Sequence, residues 1–163
     1  MQQKITPFLW FDDRAGEAAH FYVSIFKNSK IVSVNGEDGP GAGGQVSSAR
    51  FQLDGQEFIA FNGGPHFKFS EAMSFFVSCE TQDEVDDLWG KLSDGGETGR
   101  CGWLKDKFGV SWQIIPTALG ELLNDPDDDK SERAKHAMLG MTKIDIQGLR
   151  LAFEGGSGAA GND

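Results

Sequence analysis

The chain has 163 residues, 39% of them hydrophobic, enough for one well-buried core and short for two independent domains. With 25 acidic against 15 basic residues the formal net charge is -10, which repels a phosphate backbone and an anionic lipid surface, so neither nucleic acid nor membrane is expected as a partner. No apolar run approaches the roughly 20 residues of a membrane span, and MQQKITPFLWFDD lacks the order of a signal peptide, so the expected location is cytoplasmic.

Residues 5–11, ITPFLWF, read as a strand that stops at Asp12 and Asp13. Asp13 is the expected N-cap of a helix whose apolar positions, Ala15, Ala18, Ala19, Phe21, Tyr22, Ile25 and Phe26, recur at three- and four-residue spacing. Residues 30–34, 47–53 and 57–62 read as three strands, separated by a glycine-rich loop and by the Asp54-Gly55 turn. The second half repeats that order. Residues 73–80 read as a strand, Thr81 and Glu84 form a capping box, and Val85, Leu88, Trp89 and Leu92 give the inward face of a helix that ends at Gly95 and Gly96. Short strands follow over 97–100, 102–105 and 110–115, the last two joined by a charged turn with Lys105, Asp106, Lys107 and Gly109. Each half is therefore strand, helix and three strands, an internal repeat without residue identity.

Beyond Pro116, a short helix over 118–123 precedes a longer one opened by Asp125-Pro126, with acids at its start and Lys135 and His136 toward its end, as the helix dipole favours. Gly140 breaks it, Asp145 is the expected cap of a last helix over 146–153, and residues 155–163, GGSGAAGND, read as a disordered tail.

The doubled unit, with the runs ITPFLWFDDRAGEAAHFY, FIAFNGGPHFKFSEAMSFFVSCETQDEVDDLW, CGWLKDKFGVSWQIIP and RAKHAMLGMTKIDIQGL, resembles the PhnB-like group of the vicinal oxygen chelate superfamily, which includes glyoxalase I, bleomycin-resistance proteins and extradiol dioxygenases. That group also carries the label of a 3-demethylubiquinone-9 3-methyltransferase. The resemblance implies an α+β fold of two βαβββ modules, about residues 4–63 and 72–117, forming curved mixed sheets around a cavity, with the two module helices on the outer faces. Helices over about 118–154 complete a single domain, and a homodimer is implied as well.

Metal-dependent members of the superfamily take one ligand from each of four strands. The matching positions here are Thr6, Phe58 or Ala60, Ser74 and Gln113, and only Gln113 is of a usual ligand type. Two hydroxyls and an apolar side chain suit a transition metal poorly, so neither metal nor other cofactor is expected. Strand alternation instead gives a candidate ligand-binding surface of Thr6, Phe8, Trp10, Phe58, Ala60, Asn62, Ser74, Phe76, Ser78, Ser111 and Gln113, with aromatic walls and a few polar groups suited to a small organic molecule.

Of the three histidines, His20 and His136 read as surface or packing residues, while His66, after the Asn62-Gly63-Gly64-Pro65 turn, is a further candidate at the cavity mouth beside its simpler structural role. Cys79 and Cys101 have no zinc spacing; each reads as a small buried hydrophobe, and a disulfide would need their Cα atoms within about 7 Å. Asp125 with Asp127, Asp128 and Asp129 lacks the calcium-loop pattern and reads as a solvated helix start, Trp89 and Trp112 read as core, and Trp10 as a cavity wall. The run EDGPGAG, residues 37–43, matches a glycine pattern used to cradle adenosylmethionine, but an alternating strand follows it where a helix is needed, so a hairpin loop is expected.

The leading expectation is a small-molecule-binding protein without the usual metal ligands. The alternative is a metal-dependent lyase, isomerase or dioxygenase that recruits Gln113, His66 and a carboxylate in a non-standard site, and a third reading is a structural dimer with a vestigial cavity. No catalytic residue is assigned.

Overall fold

A computed structural model describes residues 2–36 and 46–156. Its elements run β1 (Phe8–Phe11), α1 (Ala15–Ile25), β2 (Lys30–Gly36), β3 (Val46–Leu53), β4 (Gln56–Asn62), β5 (Phe75–Cys79), α2 (Gln82–Ser93), β6 (Glu97–Thr98), β7 (Trp103–Lys105), β8 (Ser111–Pro116), α3 (Thr117–Leu123), α4 (Asp128–Leu139) and α5 (Ile146–Phe153). The expected α+β class and the two βαβββ modules are present, with three C-terminal helices. The chain divides into two compact units, residues 1–69 and 70–163. Two expected features, the 37–43 glycine run and residues 157–163 of the tail, lie outside the described residues.

In the first unit the sheet order is β1-β4-β3-β2, with β1 parallel to β4 and the other pairs antiparallel. Helix α1 covers one face. Ala15, Ala18 and Ala19 bring its backbone close to the sheet, and Tyr22 stacks on Phe51, which stacks on Phe58. Leu9, Phe11, Ala49, Leu53 and Ala60 complete this core. The first strand is shorter than the expected 5–11, because Pro7 has no N–H for the ladder and contributes only its carbonyl, which accepts from Ile59 N at 2.9 Å. The expected Asp13 cap is replaced by a tertiary one. Arg14 holds the N-cap position without a side-chain bond, and Asn62, from the end of β4, accepts the Ala15 N–H at 2.8 Å.

The second unit repeats the topology as β5-β8-β7-β6, with β5 parallel to β8. Val85, Leu88 and Leu92 of α2 are buried with Leu104, Trp112, Ile114 and Cys79. Both halves of the expected capping box form: Thr81 accepts from Glu84 N at 3.1 Å, and the Glu84 carboxylate accepts from Glu80 N at 2.9 Å. Helices α3 to α5 build a second cluster on Ile115, with Leu119, Ile144 and Leu149 at its centre. Gln82 fastens that cluster to α2, donating to Ile144 O at 3.0 Å and accepting from Ile146 N at 2.8 Å. Helix α4 begins at Asp128, later than the expected Asp125-Pro126, since Asp125 closes a turn on Asp127 N and Asp127 is the cap that accepts from Lys130 N. The expected Asp145 cap of α5 is present, accepting from Gln147 N at 3.1 Å.

Candidate functional site

A sheet with a helix on one side leaves its other face open, and the alternation of side chains decides which residues stand there. In the first unit the parity set by the core puts Phe8 and Trp10 of β1, Glu57, Ile59 and Phe61 of β4, and Ser48, Arg50 and Gln52 of β3 on the face away from α1. Phe8 lies 5.4 Å from Phe61 between ring centroids, Trp10 lies 5.2 Å from Phe61, and Phe67 meets Trp10 edge-on at 4.9 Å. Phe8 and Phe67 remain more than half exposed. The Trp10 ring is held in place twice. Its Nε1–H donates to Gly64 O at 2.9 Å, and Gly63 lies under the ring so closely that an added Cβ would fall 2.1 Å from it.

The expected residues of this unit divide between the two faces. Phe8 and Trp10 stand on the open one, and half-buried Thr6 precedes the first strand. Phe58 and Ala60 do not: they are 6% and 0% exposed, in the core under α1, because β4 runs in the opposite parity to the one expected. Asn62 is likewise taken up by structure, accepting from Ala15 N and donating to Val46 O at 2.6 Å. Both parities of β4 contain apolar residues, so hydropathy does not separate them; Glu57, at the start of the strand, was the one signal of the solvent side. Its carboxylate pairs with Arg50 at 2.7 Å. His66 is exposed beside Gly64, and His20 and His136 are exposed on their helices.

In the second unit the expected parity holds. Phe76 pairs with Gln113 across the parallel β5/β8 ladder, and Gln113 Nε2 donates to Ser74 Oγ at 2.9 Å. Ser111 and Gln113 share a face with Trp103 and Lys105, their antiparallel partners on β7. Ile115, next in the same parity, is covered by the C-terminal helices, so this face is roofed at one end and open at the other. A pocket of about 160 Å³ lies at the open end, lined by Trp103, Lys105, Ser111, Glu97, Thr98 and Glu71, among others.

The charged turn that precedes β8 is anchored from inside. Asp106 is 3% exposed, and its carboxylate accepts from Phe108 N at 2.9 Å, Val110 N at 3.0 Å and Trp112 Nε1 at 2.8 Å. The sequence places this residue between two lysines and gives no sign of its burial. Lys105 pairs with Glu71, whose hydrogen bond and charge raise the lysine above its ordinary value and lower the carboxyl below its own.

The residues at the four expected ligand positions do not suit a transition metal. Among the described residues no three His, Cys, Asp or Glu side chains are grouped to hold an ion. Phe58 and Ala60 are core residues, and the Gln113 amide is oriented by the hydroxyl of Ser74. Both cysteines are free thiols, with Cys79 buried and Cys101 half-buried.

A family model described as 3-demethylubiquinone-9 3-methyltransferase matches residues 3–115. Among solved structures, a PhnB protein from Bacillus cereus is 43% identical, with 70% of this chain and 99% of that one covered at a TM-score of 0.64. A protein from Pseudomonas aeruginosa is 19% identical, covering 71% of this chain and 98% of that one at a TM-score of 0.57. A glyoxylase/bleomycin resistance protein/dioxygenase domain from a Frankia species is a looser likeness, 16% identical over 71% of this chain and 93% of that one, at a TM-score of 0.48. No curated protein matches the chain.

Proposed function

We propose, from the premise that the chain belongs to the 3-demethylubiquinone-9 3-methyltransferase family, the PhnB-like group of the vicinal oxygen chelate superfamily, that it binds a small organic molecule without the superfamily's metal. The observation that carries this reading is the open aromatic face of the first unit, where Phe8, Trp10 and Phe61 present ring walls and Trp10 is fixed by Gly63 and Gly64 before any ligand arrives. Rings held in one orientation lose little freedom on binding, so they favour a ligand with a flat apolar part. Thr6 and His66 near this face, and Ser74, Phe76, Ser78, Ser111 and Gln113 in the second unit, are the remaining candidate contacts.

The family's description speaks of methyl transfer. Binding is favoured over that reading because the strands that flank residues 37–45, β2 and β3, pair antiparallel, whereas a glycine loop that cradles a nucleoside joins a strand to a helix. Native mass spectrometry of the purified protein, with a thermal-shift screen of ring-containing metabolites, tests the proposal, since a ligand that binds only the folded state raises the melting temperature. A ligand whose effect disappears in Trp10→Ala supports it. A screen without any stabilising compound, from a preparation in which nothing copurifies, refutes it.

The reading extends to a homodimer. Strand β2 is an edge of its sheet and exposes Val32 and Val34, an apolar margin of the kind that a second chain covers. Light scattering at high micromolar concentration is expected to give twice the chain mass, and a monomer mass removes this part.

A further inference from the structure

Ser111 is 2% exposed and its hydroxyl has no hydrogen-bond partner. A buried hydroxyl left unpaired costs about 1–3 kcal/mol, so such a group is rare unless something else completes it. This one lines the 160 Å³ pocket of the second unit. Directly across the β7/β8 ladder stands Lys105, the cation of that pocket, and its ammonium is met by Glu71. Glu71 belongs to no strand or helix; it is 62% exposed on the turn that precedes β5. Two donors therefore converge, one of them unsatisfied and the other neutralised by a carboxylate that only a loop holds in place.

We infer that this pocket takes a small monocarboxylic acid whose carboxylate replaces that of Glu71 on Lys105 and accepts the Ser111 hydroxyl. The volume suits a body of about one aromatic ring, since a cavity near 150 Å³ accommodates benzene. Trp103 supplies an apolar wall for that ring. Glu71 is thus an internal competitor that occupies the site until a ligand displaces it, and its removal should tighten binding. Glu97, paired in register with Lys105, adds negative charge beside the site and selects against a second carboxylate on the ligand.

This inference rests on the proposed ligand-binding role, and benzoate is the probe. Titration of the full chain, followed by the backbone amide signals of Lys105 and Ser111, is expected to saturate, while benzyl alcohol and benzylamine leave those signals unmoved. Glu71→Gln should strengthen benzoate several-fold, and Lys105→Met should abolish binding. Ser111→Ala should weaken it by about fivefold or more. Ser111→Ala removes no hydrogen bond within the fold and relieves an unpaired hydroxyl, and Glu71 is exposed, so the Ser111→Ala variant should melt at or above the wild-type temperature, the Glu71→Gln variant close to it, and both remain interpretable. Benzylamine binding in preference to benzoate, Glu71→Gln weakening the interaction, or no saturation in either the wild type or Glu71→Gln would overturn the assignment. A protein that retains a Trp10-dependent ligand yet ignores benzoate loses only this inference.

Discussion

Replacing Asp106 by Asn keeps size and shape and removes one acceptor, which makes it the sharpest test of how the β7–β8 hairpin is held. In the wild type one carboxylate oxygen accepts from Phe108 N and Val110 N, and the other accepts from the Trp112 indole N–H at 2.8 Å. An asparagine can keep its carbonyl on the two backbone donors only by turning its NH2 toward the indole, so that donor meets donor in a site 3% exposed. One charge-assisted bond, worth about 1.5–3 kcal/mol, is lost, and the two that remain weaken with the charge. A total loss of about 2–4 kcal/mol is expected, and more for Asp106→Ala, which strands all three donors. Urea denaturation followed by tryptophan fluorescence measures the difference. The same variant should shift the Trp112 indole proton in the NMR spectrum and loosen the register that sets Lys105 opposite Ser111. Stability of Asp106→Asn within about 0.5 kcal/mol of wild type, the usual scatter of surface substitutions, would refute the reasoning.

Gly63→Ala places a Cβ 2.1 Å from the Trp10 ring, so the ring must move; a loss of about 1–3 kcal/mol with a changed near-ultraviolet dichroism is expected. Asn62→Ala removes the acceptor for Ala15 N and the donor to Val46 O, and thermal melts should show a loss of about 1–3 kcal/mol from the first unit. Burial, followed by the nearby Glu84 charge, pushes the Cys79 thiol from 9.0 up to about 12. Because the folded value is the raised one, the stabilisation from its neutral thiol is complete below pH 9 and is lost as pH rises toward 12; stability curves of wild type and Cys79→Ala should therefore diverge over that window. Cys101, half-buried, should react with a thiol reagent in the folded chain while Cys79 does not, and equal rates would contradict the burial.

The order of elements, the repeat, the α2 capping box, the Asp145 cap and the face of β8 are legible in the sequence, because these depend on contacts a few residues apart. Local periodicity fails where both faces of a strand are apolar, and β4 is that case: Phe58 and Ala60 against Ile59 and Phe61 is a choice that only the docking of α1 makes. The alanines of α1 need large rings opposite them, and Phe51 and Phe58 fill that space while Phe61 is left to meet Phe8 and Trp10. The start of α1 was equally beyond the local pattern, since its first N–H is satisfied by Asn62, 47 residues away. In the sequence Asp106 is one charge of a turn between two lysines, and it is buried because three donors converge on it once the hairpin closes. The open hydroxyl of Ser111 belongs to the same class: a missing partner is a property of surroundings assembled from Glu71, Glu97, Lys105 and Trp103, and surroundings exist only in the folded chain.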